Sequence, residues 1–406
     1  VENIDLTYQD LTIGQFSTFG LLLWYRRGVK LVWTGAVSLR GGPSTRTSTS
    51  ITQRSGERMN ADKYLRSIPK VELHNHVTGA VRLQTVVEIA RKNSIPLPAG
   101  DPGALYEYVD LIGFLTSHSF VCSALRDRDD FSRIAYESLE DGYQNSNVRY
   151  MEMFFNPTNH MADGVAYTEV VDGLVDGIRR AEAEFGVQGR LIPSINRQQS
   201  IAVAREMLDA IVAHRRDEVI GIGMDHDELP DPPEKFATVY QAAGRAGLKR
   251  TAHTSHDGPA SHILTCLDEL GCDRIDHGYR VTRDAQVLQR VVDEQIPFTC
   301  ALTSAQMFWP WAAIDETPDG AVNPVKTMFD AGVNVTVHTD DPTMLHTDLG
   351  SEYIKYFRDC VLDIDSTHAA GLSALDAAWL DESDKSVLRK EFRAEMTRLG
   401  SELNAM

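Results

Sequence analysis

Lys70-Val-Glu-Leu-His-Asn-His76 is a short apolar run that ends in polar residues, and the same construction recurs downstream. The runs are Lys70 to Asn75, Val148 to Asn156, Arg190 to Asn196, Val219 to Asp225, Lys249 to Thr254, Arg274 to Gly278, Pro297 to Thr303 and Asn334 to Thr339. Between several of them lie stretches of helical period with capping residues. Thr168 precedes Val170, Val171, Leu174, Val175 and Ile178, and Thr282 precedes Val287, Leu288, Val291 and Val292. Strand and helix alternate, so the sheet is expected to be parallel. Eight such units predict a closed (β/α)8 TIM barrel, whose chemistry sits at the C-terminal ends of the strands. The first two runs are separated by far more chain than a simple crossover needs, which predicts extra helices over the barrel mouth. Residues from about 350 onward are charged, helical in pattern and expected to pack outside the barrel.

The barrel accounts for most of the 406 residues. A composition of 42% hydrophobic and 24% charged residues is that of an ordinary globular chain. Residues 1–58 differ: they carry seven basic and four acidic residues, and Gly41 to Ser55 is a Gly/Pro/Ser/Thr/Arg run without apolar periodicity. We read 1–58 as an N-terminal extension, flexible or not native to the fold, and 59–406 as the barrel domain.

The formal net charge of -18, from 58 acidic and 40 basic residues, argues against phosphate backbones and anionic membrane surfaces as partners. Phe19 to Tyr25 is too short to span a bilayer. It follows acidic residues and precedes Arg26 and Arg27, the reverse of a signal peptide. Five cysteines without a C-x-x-C pair are expected to be reduced and mostly buried, in a cytoplasmic protein. A homodimer is compatible with this composition, though no feature requires one.

His74 and His76 flank Asn75, so a strand points both to one side. Such a pair alone has a bland alternative, two hydrogen-bonded core histidines. Three more run-ends strengthen the metal reading: His253, His277 and Asp340-Asp341 reach the same rim. Imidazoles with one carboxylate suit zinc, with iron or manganese as possible occupants, and leave room for an activated water.

At this point the sequence resembles the adenosine and adenine deaminase family of the metal-dependent amidohydrolases. The matching segments are Lys70 to His76, Arg149-Tyr-Met-Glu-Met-Phe-Phe-Asn-Pro, Gly221-Ile-Gly-Met-Asp, His253-Thr-Ser-His-Asp-Gly-Pro, Arg274-Ile-Asp-His-Gly and His338-Thr-Asp-Asp-Pro. The Phe-Phe-Asn-Pro and Pro232-Pro233-Glu-Lys-Phe segments are closer to the adenine deaminase branch. The resemblance implies that His74, His76, His253 and Asp340 hold zinc. His277 would orient the metal-bound water and help take its proton, and Asp341 would hydrogen-bond a ring nitrogen of a small heterocyclic substrate.

Three positions depart from the family pattern. The glutamate expected three residues after His253 is His256, whose imidazolium could donate a proton in its place; the bland alternative is a solvated loop histidine. Asp257 corresponds to a second acidic position of the adenine branch. Thr78 stands where the family places an acid, and His226 stands where it places a small residue beside the purine. We therefore expect Thr78, His226, Asp257 and Asp341 to shape substrate binding, and His277, His256 and Asp340 to carry catalysis. The expected activity is release of ammonia from a purine-like or related nitrogen heterocycle. The alternatives are hydrolysis of another C–N or C–X bond, and an inactive deaminase-like binding protein.

Overall fold

The computed structural model describes residues 61–98, 101–108, 111–308, 324–361 and 363–404. The proposed extension 1–58 therefore lies outside the described residues. Nine strands carry the eight expected runs: β1 Lys70–His76, β2 Val148–Phe155, β3 Gln188–Asn196, β4 Gly221–Asp225, β5 Lys249–Arg250, β6 His253–Thr254, β7 Ile275–His277, β8 Pro297–Cys300 and β9 Asn334–Val337. All pairings are parallel, in the order β1-β2-β3-β4-β5 and β6-β7-β8-β9. β5 and β6 are the two ends of one run. Across that junction Thr251 N donates to Ile222 O at 3.1 Å and Asp276 N to Ala252 O at 3.0 Å, so the ring of strands continues.

The ring closes between its first and last strands. Asn75 bridges Asp340, with Asp340 N donating to His74 O and His76 N to Asp340 O, both at 2.8 Å. The expected (β/α)8 barrel is therefore present. Several runs were expected to be longer than the strands they form. Leu302 and Thr303 are not strand but open the helix Leu302–Phe308, because Glu352 accepts from both of their backbone N–H groups at its start. Val219 precedes β4 and makes only an isolated bridge to Leu191.

Neither expected threonine cap is used. Helix Tyr167–Phe185 begins one residue before Thr168, after an uncapped Ala166. Thr282 lies within a 3-10 turn, Val281–Arg283, and helix Ala285–Asp293 is capped by Asp284, whose carboxylate accepts from Gln286 N and Val287 N. Aspartate two residues nearer the helix is the better acceptor for its first free N–H groups.

Between β1 and β2 the helices Leu83–Lys92, Leu111–Ala124 and Arg128–Ser146 accommodate the long connection. Arg128–Ser146 has a capping box at Asp127 and Asp130 and packs on Tyr167–Phe185 outside the barrel. Leu111–Ala124 brings Phe114, Leu115 and His118 to the mouth.

At the other end, helix Ile364–Ala377 packs on β1 and β9 as expected, but the chain then turns under the barrel. Trp379 lies 4.0 Å from the buried Arg274 guanidinium in a cation–π contact, and its backbone N–H donates to Glu152 at 2.7 Å. Arg274 pairs with Glu152 at 2.6 Å. Gly221 is needed there, since a Cβ would lie 2.4 Å from the Trp379 ring. The floor is thus sealed by an aromatic ring over a buried ion pair, which places the open end at the strands' C-termini.

Among the described residues, no helix is long and apolar enough to cross a membrane. All five cysteines are free; Cys266, Cys272, Cys300 and Cys360 are buried and Cys122 partly so.

Candidate metal centre and active site

His74 and His76 end β1, His253 opens β6, and Asp340 follows β9. One ligand atom from each lies within 4.8 Å of the others. His253 Nε2 is 3.0 Å from both His74 Nε2 and His76 Nε2, and Asp340 Oδ1 is 3.4 and 3.3 Å from the same two nitrogens. The edges of a tetrahedron around zinc, at its usual distance from imidazole nitrogen, are about 3.3 Å.

The hydrogen bonds behind the ligands decide what these nitrogens can do. His74 Nδ1 faces Thr299 O at 3.2 Å and Thr299 Oγ1 at 3.0 Å. The hydroxyl donates its own proton to Asp276 at 2.7 Å, so both groups accept from His74. His253 Nδ1 faces the other Asp276 oxygen at 3.3 Å. Both Nδ1 atoms therefore carry the hydrogen, and both Nε2 lone pairs point at one another at 3.0 Å. Such an arrangement is repulsive without a cation between the nitrogens, and carboxylate-backed imidazoles are the usual support of a metal site. Charge agrees: although burial opposes it, the Asp341 and Asp340 carboxylates push His76 up to about 10, so the cluster draws positive charge. The donor set fits a divalent ion, and zinc suits it best.

His277 lies beside the cluster, its ring 4.7 Å from His74 and 4.9 Å from His253. The Tyr279 hydroxyl gives its proton to Ala301 O at 2.9 Å and accepts from Ala301 N at 3.1 Å. The remaining contact, His277 Nδ1 to Tyr279 Oη at 3.2 Å, is thus a donation by the imidazole. Nε2 keeps its lone pair. Burial and the neighbouring His256 and His74 imidazoles push the pKa of His277 well down, so it is a neutral base.

His226, Ser255, His277 and Asp340 all have positive φ, between 51 and 72°. Left-handed backbone is disfavoured for such residues, and it recurs here at the strand ends that build the site. Gly79 is fixed by close approach: a Cβ there would lie 1.9 Å from Asp341 Oδ1. Burial and the adjacent Asp340 carboxylate push Asp341 toward its protonated form.

A cavity of about 380 Å³ opens over the cluster, large enough for a heterocycle. His226, His256, Asp257, His277, Asp340 and Asp341 line it, as expected. Thr78 is not part of that lining: it is buried and interacts with the Cys122 thiol. His256 is buried with its ring edge-on to His277 at 4.6 Å, so it is not a solvated loop residue, and burial pushes its pKa down to about 3.

Several residues of the site were not anticipated. Glu228, 2% exposed, accepts from Thr254 Oγ1, Ser255 N and His262 Nδ1 with one oxygen and from His256 N and Gly258 N with the other, at 2.7 to 3.1 Å. It holds the turn that follows His253. One acid among Asp225, Asp227, Glu228 and Asp231 offers no periodicity by which to single it out. Asp225, at the end of β4, accepts from Asn156 at 2.8 and 2.9 Å and from His226 Nδ1 at 2.6 Å. Its place at a strand end was the available signal.

The sequence profile described as adenosine deaminase matches residues 69–395. The chain belongs to the adenosine deaminase family. It is similar to the adenine deaminase of Cupriavidus taiwanensis, 33% identical over 341 residues that cover 83% of this chain and 93% of that one. The adenine deaminase of Streptomyces coelicolor is 33% identical over 82% of this chain and 96% of its own. Among solved structures, a Burkholderia ambifaria amidohydrolase with bound zinc is 32% identical with a TM-score of 0.78, covering 86% of this chain and 95% of its own. The adenine deaminase of Arthrobacter aurescens is 30% identical with a TM-score of 0.74, over 82% of this chain and 99% of that one.

Proposed function

We propose that this protein is a zinc-dependent aminohydrolase that releases ammonia from a purine-like heterocycle. The observation that carries this reading is the convergence of three imidazole nitrogens and one carboxylate inside the barrel-mouth cavity, in a family whose relatives include adenine deaminases. Zinc bound there supplies a Lewis acid that lowers the pKa of water toward neutrality. The chain's own groups do the rest. His277 Nε2 is the base that takes a proton from the attacking water, with Tyr279 fixing its tautomer. Asp341, in the cavity wall next to Asp340, hydrogen-bonds a ring nitrogen of the substrate. Water adds at the attacked ring carbon, and the proton held by His277 passes to the exocyclic amine as the C–N bond breaks, giving the oxo heterocycle and ammonia.

Burial favours the neutral form of His256, so its part in the reaction is through an N–H bond rather than as a cation. That observation favours a second reading, in which the same centre hydrolyses another C–N or C–X bond. Ammonia release by the zinc-loaded chain, assayed on aminopurines, aminopyrimidines, pterins and aminotriazines, separates them. The proposal expects release from at least one compound, its loss on chelation and its return with zinc. Turnover without ammonia supports the second reading. Ligand binding without turnover would leave an inactive binding protein.

A further inference from the structure

The cavity contains a second built feature besides the metal cluster. Asp225 is 4% exposed at the end of β4, and its two oxygens are held by the Asn156 side-chain amide at 2.8 and 2.9 Å. One of those oxygens also takes the Nδ1–H of His226 at 2.6 Å. The His226 side chain is 16% exposed and lines the cavity. Its backbone lies in the left-handed region at φ 72°, which turns the chain at the end of β4. Phe114 and His118, from the helix that covers the mouth, close the same wall, with the His118 ring edge-on to His226 at 6.4 Å.

A carboxylate held in this way fixes the tautomer of its imidazole partner. Nδ1 carries the hydrogen, so in the neutral ring Nε2 is the acceptor. We infer that Asn156, Asp225 and His226 form a substrate-reading subsite whose His226 Nε2 accepts a hydrogen bond from a ring N–H of the substrate. This deepens the proposed function and rests on it for the class of compound. The substrate class is a heterocyclic amine with an unsubstituted ring N–H in addition to its amino group. A ring nitrogen carrying a sugar or an alkyl group has no hydrogen to offer.

The test uses the zinc-loaded full chain and measures binding, so it does not depend on turnover. Adenine, cytosine and 2,6-diaminopurine are titrated beside deaza analogues in which a ring N–H becomes C–H at nearly unchanged size. Ammonia release is recorded on the same samples. For the best-binding parent, one such replacement is expected to weaken binding by about 10-fold or more, since it leaves a buried acceptor unmatched. In His226→Gly, which suits the left-handed backbone and removes the acceptor, the same pair should bind within about threefold of each other. His226→Asn, also tolerant of that backbone, provides a second variant whose preference should fall below that of the native chain. Equal binding of every pair by the native chain overturns the inference, as does a preference that survives both substitutions or a failure of all three parents to bind. Ammonia release without N–H preference sinks this inference and leaves the deaminase reading intact. N–H-selective binding without ammonia from any parent does the reverse.

Discussion

Replacing Glu228 by glutamine changes one atom in a carboxylate that holds five donors. The Oε1 side keeps an acceptor for Thr254, Ser255 and His262. The Oε2 side becomes an NH2 group facing the backbone N–H groups of His256 and Gly258, each 3.1 Å away. Donor then meets donor, and two buried N–H groups lose their acceptor at about 1–3 kcal/mol each. The titration of the carboxyl gives a second measure. Burial alone would raise its pKa, but His262, Arg197 and the turn amides outweigh burial and hold it at about 2 rather than 4.5. A shift of that size is worth roughly 3 kcal/mol in favour of the folded ionised form. Both routes give a loss of about 3 kcal/mol for Glu228→Gln, read from urea unfolding at pH 7. The folded pKa is the depressed one, so the stabilisation is present above about pH 4.5 and disappears as pH falls toward about 2. The difference between native chain and variant should shrink over that window. A loss under about 1 kcal/mol at pH 7, or a difference that grows on acidification, would refute the assignment of Glu228 as the anchor of the turn after His253.

Three other outcomes follow from the same geometry. Gly79→Ala must displace Asp341 and should lower kcat/KM for the best substrate at least 10-fold while zinc content, measured by atomic absorption, stays at one per chain. Tyr279→Phe removes the acceptor that fixes the His277 tautomer; kcat is expected to fall about 10-fold with KM little changed, and unchanged kcat would deny Tyr279 this role. Arg274→Met leaves Glu152 buried without its cation and takes the charge from under Trp379, which should cost about 3–5 kcal/mol in denaturant titration.

The barrel was legible because each strand is a local apolar run ending in a polar residue, and all eight runs appear. Their ends were less legible. The boundary at Leu302 depends on Glu352, fifty residues away, whose carboxylate accepts from the helix start; no local pattern carries that information. The metal ligands could be read because strand period two aligns His74 with His76 and because strand ends share one rim. Thr78 was expected in the cavity wall and lies outside its lining, because nearness to His76 in sequence says nothing about which way a side chain turns after a strand ends. The burial of His256 was likewise hidden, since it is a property of the assembled loop. Glu228 escaped because its significance lies in five partners, four of them on a turn more than twenty-five residues downstream.

The bonds that close the barrel run through the metal ligands themselves: Asp340 N to His74 O, and His76 N to Asp340 O. Two of the four ligands come from the first strand and one follows the last, so the centre does not exist until the final strand has docked. The full ligand set is thus assembled by the same docking that shuts the ring, and a bound ion would act as a rivet across that seam, tying the first strand to the last.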